Sequence, residues 1–432
     1  MLLNLLARAK ERNWIRHRLV KNTAALFVVQ ISGYAAPLLV LPYLSRVLSI
    51  EHFGLIAYAT SFNWYFISLV EYGFNLTATR RIAICAGDTA KTSQIFSSVM
   101  AAKVLLTALG FLMMMTAVLA TPKLRPHVPL FCISYLAVLG DLLFPLWLFQ
   151  GLQKMENLVW RDLSAKLLSM CLIFAFVRRD GDYLWAAGFQ AGSAMVAGVV
   201  GLITVPLLTK VRFVRPTLAD IFTALREGWP VFLSMAAMTL SSSTNVVILG
   251  LRSGPKEVAY YSAAYRLLVA MRMLVQPLVT ALYPHISHMA VTSREGALAF
   301  LRKYAMILSA PFLCASLLLL FGAWPIIHIL YGPGYAPAVR LLGIMAPGVF
   351  LLALQHMYST FYMLAFGFQK EWSRLIMLAA VMNFAVLIPL MYLLWPPEAT
   401  AIAGLAVDVF LAVATYLFYR KSAAVVPDAV TA

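Results

Sequence analysis

The chain has 432 residues, of which 62% are hydrophobic and only 12% charged, with a mean hydropathy of +0.84. That balance excludes a sizeable soluble domain and places the whole chain in the membrane class. The formal net charge of +17 would suit a nucleic-acid partner in a soluble protein, but Lys and Arg collecting in loops on one side of a membrane is the simpler cause, so no nucleic acid is expected.

Residues 1–21 carry their charges after a short apolar start, and no small-residue cleavage site follows, so a cytoplasmic amphipathic N-terminus is expected rather than a secretory signal. From Asn22 to Ser45 there is no charge, long enough to cross the roughly 30 Å hydrocarbon core of a bilayer. Pro37 and Pro42 interrupt this first span, and the backbone groups they leave unpaired must face protein or water. Further spans are predicted at 53–74, 95–120, 128–150, 160–177, 184–208, 228–250, 258–284, 304–330, 336–366, 375–395 and 401–419.

The fold class expected is all-α and integral to the membrane, with twelve transmembrane helices. Residues 22–208 form an N-terminal six-helix lobe and 228–420 a C-terminal one. Residues 209–227, with Lys210, Arg212, Arg215 and Arg226, form a cytoplasmic linker, and 421–432 a cytoplasmic tail. Basic loop residues concentrate on the side of the N-terminus, which puts both termini in the cytoplasm. A faint echo, Phe53-Gly54-x4-Ala59 against Val258-Ala259-x4-Ala264, points to two parallel repeats.

Among the basic residues inside predicted spans are Lys103, Arg266, Arg272 and Arg340. A mid-helix Arg or Lys costs about 2.5–3.5 kcal/mol on insertion scales, whereas each large aliphatic residue returns only about 0.3–0.6. The span holding Arg266 and Arg272 therefore needs water, a partner or an anionic ligand. At helical spacing Tyr261, Tyr265, Arg272, Gln276 and Tyr283 share one face, with Arg266 to the side, where it can border the same cavity. Lys103 and Asp141 lie at similar depth and are expected to meet across a hairpin, as a structural pair or a transport element. Glu71 is placed for Arg80 or Arg81, and Arg340 for snorkelling. Ser241-Ser242-Ser243-Thr244-Asn245 reads as a bent helix or, with Asn383 and Asp408, as an oxygen-lined site for a coupling cation.

Other motifs have plainer readings. Asp180-Gly-Asp182 is a turn, Gly188 and Gly192 are a helix-packing pair, and His285 and His288 are interfacial. Cys85, Cys132, Cys171 and Cys314 show no ligand or disulfide spacing. With no phosphate-cradling loop, zinc-ligand spacing or nucleophile elbow in the sequence, no cofactor, metal site or enzymatic activity is expected.

Pro37-x4-Pro42-Tyr43-Leu44-x-Arg46-Val47-Leu48 with Phe53-Gly54, and then Tyr72-Gly73-Phe74-x4-Thr79-Arg80-x-Ile82-Ala83, resemble the N-terminal signature of Wzx-type O-antigen flippases. Those belong to the multidrug/oligosaccharidyl-lipid/polysaccharide exporter superfamily. Tyr331-Gly332-x2-Tyr335-x-Pro337-Ala338, ending in Leu364-Ala365-x-Gly367, is similar to the superfamily's C-terminal half. The resemblance implies two lobes around a central cavity and alternating access. It also implies an undecaprenyl-diphosphate-linked saccharide as cargo in the bacterial inner membrane, with a polysaccharide polymerase and a chain-length regulator as partners besides the lipid bilayer. By matching position, Arg46, Arg80, Arg266 and Arg272 become candidates for the diphosphate. Arginine forks suit its oxygens and tyrosines suit sugar rings.

Two competitors follow from the same residues. A multidrug antiporter of this fold would export organic cations and should favour acids in its spans, whereas Lys103, Arg266, Arg272 and Arg340 stand against Asp141, Asp408 and Glu71. A membrane-embedded polysaccharide polymerase would need a larger extramembrane segment than the short loops here provide.

Overall fold

The computed structural model describes residues 39–85, 87–154 and 156–425, and among these no strand occurs. The N-terminal segment and most of the first expected span, Pro37 included, lie outside them, as does the end of the tail. The described helices are α1 (Ile50–Glu71), α2 (Phe74–Ile84), α3 (Thr89–Ala120), α4 (Val128–Ser134), α5 (Leu136–Leu143), α6 (Leu146–Gly151), α7 (Glu156–Phe176), α8 (Tyr183–Leu208) and α9 (Leu218–Arg252). There follow α10 (Pro255–Arg272), α11 (Val275–Thr292), α12 (Arg294–Phe321), α13 (Ala323–Tyr331), α14 (Ala336–Met345), α15 (Pro347–Tyr358), a π-helical turn (Ser359–Leu364), α16 (Gln369–Leu393) and α17 (Pro396–Val425).

Among the described residues eight stretches are long and apolar enough to cross a membrane: Ile50–Ile84, Thr89–Ala120, Arg125–Gly151, Asp180–Leu208, Arg294–Phe321, Pro333–Leu364, Gln369–Leu393 and Pro396–Ser422. The bent run over α10 and α11 adds a ninth. Each contains or overlaps a span expected from hydropathy, and the chain is a multi-pass membrane protein.

The chain divides into two compact units, the first made of Met1–Ser49 and Ala59–Ser243, the second of Ile50–Tyr58 and Thr244–Ala432. In the first, α5 crosses α8 closely because Gly140 and Gly198 have no side chain. A Cβ on Gly140 would meet the backbone of Ala194, and one on Gly198 the carbonyl of Gly140. The expected packing pair was Gly188 and Gly192. A Cβ on Gly188 would only touch Ile133, and one on Gly192 would meet nothing within 4 Å, so the close crossing falls elsewhere on the same helix.

The Tyr72-Gly73-Phe74 motif is the turn that breaks the first described span. Tyr72 and Gly73 take positive φ of 45° and 78°, which Gly tolerates and Tyr does not without cost. Tyr72 is held there by stacking on Phe232, ring centroids 4.7 Å apart. Asp88 caps α3, accepting the Lys91 amide at 3.0 Å, a bond that lowers its carboxyl pKa below the usual range.

In the second unit α15 packs on α12 and α17, and α16 on α17. Expected spans are interrupted here as well. Helix 258–284 ends at Arg272 and restarts at Val275, because Pro277 has no N–H for the carbonyl of Met273 and its ring crowds that oxygen. Helix 304–330 breaks at Gly322 for the same reason, with Pro325 unable to donate to Phe321.

Gly54 sets the approach of α1 to α10, since its missing Cβ would fall on the Pro255 carbonyl. Gly54→Val is expected to destabilise the protein by about 1–3 kcal/mol through overpacking, whereas Gly192→Ala leaves the unfolding temperature within a degree or two. Thermal unfolding of both variants in detergent micelles checks this.

Candidate functional site

Among the described residues, each unit holds a buried pairing of charges inside its apolar helices. In the first, Lys103 of α3 has a side chain only 4% exposed. Its ammonium donates to the Asp141 carboxylate at 3.1 Å and to the Asp141 main-chain carbonyl at 2.7 Å. That second acceptor is available because Pro145, four residues on, has no N–H to offer it, and the oxygen otherwise receives only the Phe144 amide at a long 3.3 Å. The expected pair across the hairpin is therefore present. Glu71, near both charges, takes a hydrogen bond from the Asn75 amide at 3.1 Å. The expected link from Glu71 to Arg81 is not made, because Arg81 reaches Glu227 at 3.2 Å instead. Arg46 and Arg80 are both exposed on the first unit.

In the second unit, Arg272 at the end of α10 pairs with Asp408 of α17, and the two side chains are 19% and 11% exposed. The contact uses one terminal nitrogen of the guanidinium. Its Nε is buried without a hydrogen-bond partner. Gly348 of α15 permits the pair, since a Cβ there would strike both the guanidinium and the carboxylate. Around it lies a cavity of about 30 Å3 lined by Tyr261, Tyr265, Leu268, Gly404 and Leu405 among others, room for a water or two and not for a sugar. Tyr261 and Tyr265 stack with centroids 5.6 Å apart.

The shared face thus holds as far as Arg272. Gln276 lies beyond the Pro277-induced break, half-buried, and is absent from the cavity lining, so the continuous 100° rotation assumed for it does not apply. Arg266 does not border that cavity either. It sits over the Phe53 ring at 5.8 Å with the phenols of Tyr331 and Tyr335 as its electrostatic neighbours. Among the described residues it has no acidic partner. Phe53 and Tyr335 pack edge to face at 5.7 Å, and the Tyr335 hydroxyl is buried without a partner. Two sequence motifs 270-odd residues apart therefore meet around one arginine, which neither motif alone could reveal.

The grouping of Asn245, Asn383 and Asp408 is split. The two amides hydrogen-bond each other reciprocally, at 2.8 and 3.3 Å, while Asp408 is engaged by Arg272. The reason is electrostatic, since a buried carboxylate is served better by a guanidinium than by neutral amides. Arg340, expected to snorkel, reaches Glu398 at 2.9 Å. Asp180-Gly-Asp182 is a turn, with Asp182 accepting the amides of Arg178 and Arg179, and the four cysteines are free.

Apolar helices enclosing buried, mostly paired charges define a polytopic membrane protein. The solved structures agree on fold: the chain is similar to "Lipid II flippase MurJ, inward closed conformation" with a TM-score of 0.72 at 14% identity, over 93% of this chain and 87% of that one. An inward-facing multidrug resistance MATE family transporter of the MOP superfamily gives 0.64 at 15% identity, over 89% and 97%. Residues 19–290 match the family described as "Polysaccharide biosynthesis protein". A protein of Escherichia coli (strain K12) named "Putative O-antigen transporter" is 34% identical over 93% of this chain and 97% of its own length. One of the same name from Shigella dysenteriae is 30% identical over 86% and 93%. The chain belongs to this polysaccharide biosynthesis family, in which both relatives carry the name of an O-antigen transporter.

Removing one partner of a buried ion pair costs about 3–5 kcal/mol, whereas replacing both by apolar residues is often near neutral. Lys103→Met and Asp141→Leu are each expected to lower the unfolding temperature sharply, and the double variant to recover most of the loss. A thermal double-mutant cycle measures it. Recovery of stability without recovery of transport would mark the pair as part of the transport path.

Proposed function

We propose that the chain is a flippase for undecaprenyl-diphosphate-linked oligosaccharide units of O-antigen or a related polysaccharide. In this reading it works in the bacterial inner membrane by alternating access, with both termini cytoplasmic. The reading includes twelve helices in two six-helix lobes around a central cavity. The family and the transporters named among its relatives support the class of cargo.

The observation that carries it furthest is the incomplete pairing of Arg272. One carboxylate holds one terminal nitrogen, and the buried Nε has no acceptor. A guanidinium has five donors in a rigid fork. A diphosphate offers more oxygens than Asp408 and can take up the donors that the carboxylate leaves idle. Tyr261 and Tyr265, stacked on each other beside it, are the rings a sugar would meet once the small cavity widens during the access cycle, and Arg266 with Lys103 are further cations for the headgroup's passage. The polyprenyl tail stays in lipid throughout. The likeness to multidrug transporters is one of fold, and the guanidinium of Arg266, without an acidic partner among the described residues, does not favour export of organic cations.

Arg272→Ala is expected to abolish or strongly reduce flipping of a fluorescent polyprenyl-diphosphate saccharide in proteoliposomes, with normal membrane insertion, while Arg272→Lys keeps a fraction of the rate. Wild-type flipping by Arg272→Ala would remove this residue from the mechanism, and export of cationic dyes with no response to the saccharide lipid would favour the antiporter.

A further inference from the structure

A cavity of about 1030 Å3 lies in the first unit, apart from the charge clusters above. It is at the upper limit of the roughly 300–1,000 Å3 usual for ligand sites. Its walls are apolar side chains of α3, α5, α8 and α9, among them Phe96, Met100, Leu105 and Pro206, together with Phe213 of the segment that follows α8. Arg212 is the charged residue of the lining.

That segment is held in place by its backbone. The Arg212 amide donates to Ser93 Oγ at 3.1 Å and the Val214 amide to Ser97 Oγ at 2.8 Å, both serines being buried in α3. Its side chains and those at the start of α9 divide by chemistry: Lys210, Arg212 and Arg215 are exposed cations, and Phe213, Val214, Leu218 and Phe222 are exposed apolar groups. Nearby acids are already engaged. Asp220 accepts from Thr217 and from Gln94, which holds its carboxyl pKa low, and Glu227 pairs with Arg81. Among the described residues no carboxylate pairs with Lys210, Arg212 or Arg215. An apolar groove with Arg212 in its lining and Lys210 and Arg215 on the same segment matches one kind of molecule, an amphiphile with hydrocarbon chains and a negative head.

We propose that this groove binds an anionic phospholipid, its acyl chains lying along Met100, Leu105 and Pro206 and its phosphate on Arg212, with Lys210 and Arg215 beside it. A resident lipid fits better than a passing cargo. The cations lie together on one short segment tied to α3, which suits a headgroup that stays in one leaflet. The site is independent of the transport path proposed above.

The test uses the full chain purified in mild detergent, with native mass spectrometry in equimolar phosphatidylglycerol and phosphatidylcholine. The wild-type protein is expected to retain phosphatidylglycerol preferentially. Arg212→Gln, which keeps the backbone amide that anchors the segment, is expected to lower that retention about fivefold, the effect of one basic residue near an anionic surface. Arg212→Lys should keep most of it. Leu105→Trp, which fills the groove without touching the charges, should lower retention as well. Equal retention of the two lipids, or no change in either Arg212→Gln or Leu105→Trp, would overturn the proposal. So would displacement of phosphatidylglycerol by equimolar undecaprenyl phosphate, which would give the groove to the cargo's tail.

Discussion

The structure depends on how ionised groups are neutralised inside hydrocarbon. Desolvating an ion costs several kcal/mol even after relaxation, so each charge in an apolar helix must find a counter-charge, a polar neighbour or an aromatic face. Lys103 meets Asp141, Arg272 meets Asp408, and Arg340 meets Glu398. Arg266 is treated differently, with Phe53 under its guanidinium and phenols around it. A ring face is worth about 0.5–2 kcal/mol to a cation, less than a carboxylate at hydrogen-bond distance, so Arg266 is held in position without being neutralised.

The backbone supplies what side chains alone could not. Prolines at 145 and 277 do more than bend helices. Pro145 frees the Asp141 carbonyl to serve as a second acceptor for Lys103, and Pro277 ends α10 just past Arg272. Gly348 leaves room for the Arg272 and Asp408 groups to touch. The same economy appears at Gly140 and Gly198, where two helices approach backbone to backbone. Charge pairing here is conditional on where the chain has no N–H or no Cβ.

This explains what the sequence alone makes legible. Hydropathy over a long window is an average, so the spans emerge from it even when their helices are interrupted, and the described ones lie close to where composition puts them. The pair of Lys103 and Asp141 was legible because a short hairpin makes depth computable from rise per residue. Arg272 and Asp408 are separated by 136 positions along the chain, and nothing local to either residue names the other. Asp408 was instead grouped with Asn245 and Asn383 on composition, whereas the two amides satisfy each other. The stripe of Tyr261, Tyr265 and Arg272 was readable and its extension to Gln276 was not, because a constant 100° step assumes a helix that Pro277 interrupts. The packing glycines were misplaced for a similar reason: a GxxxG spacing marks small residues without saying which of them faces a neighbour.

Within the proposed function, the difference between the two arginines of α10 bears on mechanism. A cation already paired with a carboxylate accepts an anionic headgroup on its idle donors or by exchange, and in either case the carboxylate's charge opposes the incoming anion. The free energy of binding there is a difference between two strong interactions and stays small. A cation resting on aromatic rings has no carboxylate to surrender, so an anion meeting it gains the full charge-assisted bond. A transporter must release what it binds, and binding too tightly at any one point would hold the cargo in place. Exchange at Arg272 supplies the weak end of that range, with Asp408 ready to reclaim the guanidinium as the headgroup leaves. The uncompensated Arg266 supplies the strong end. A path made of both kinds of site attracts a diphosphate without trapping it.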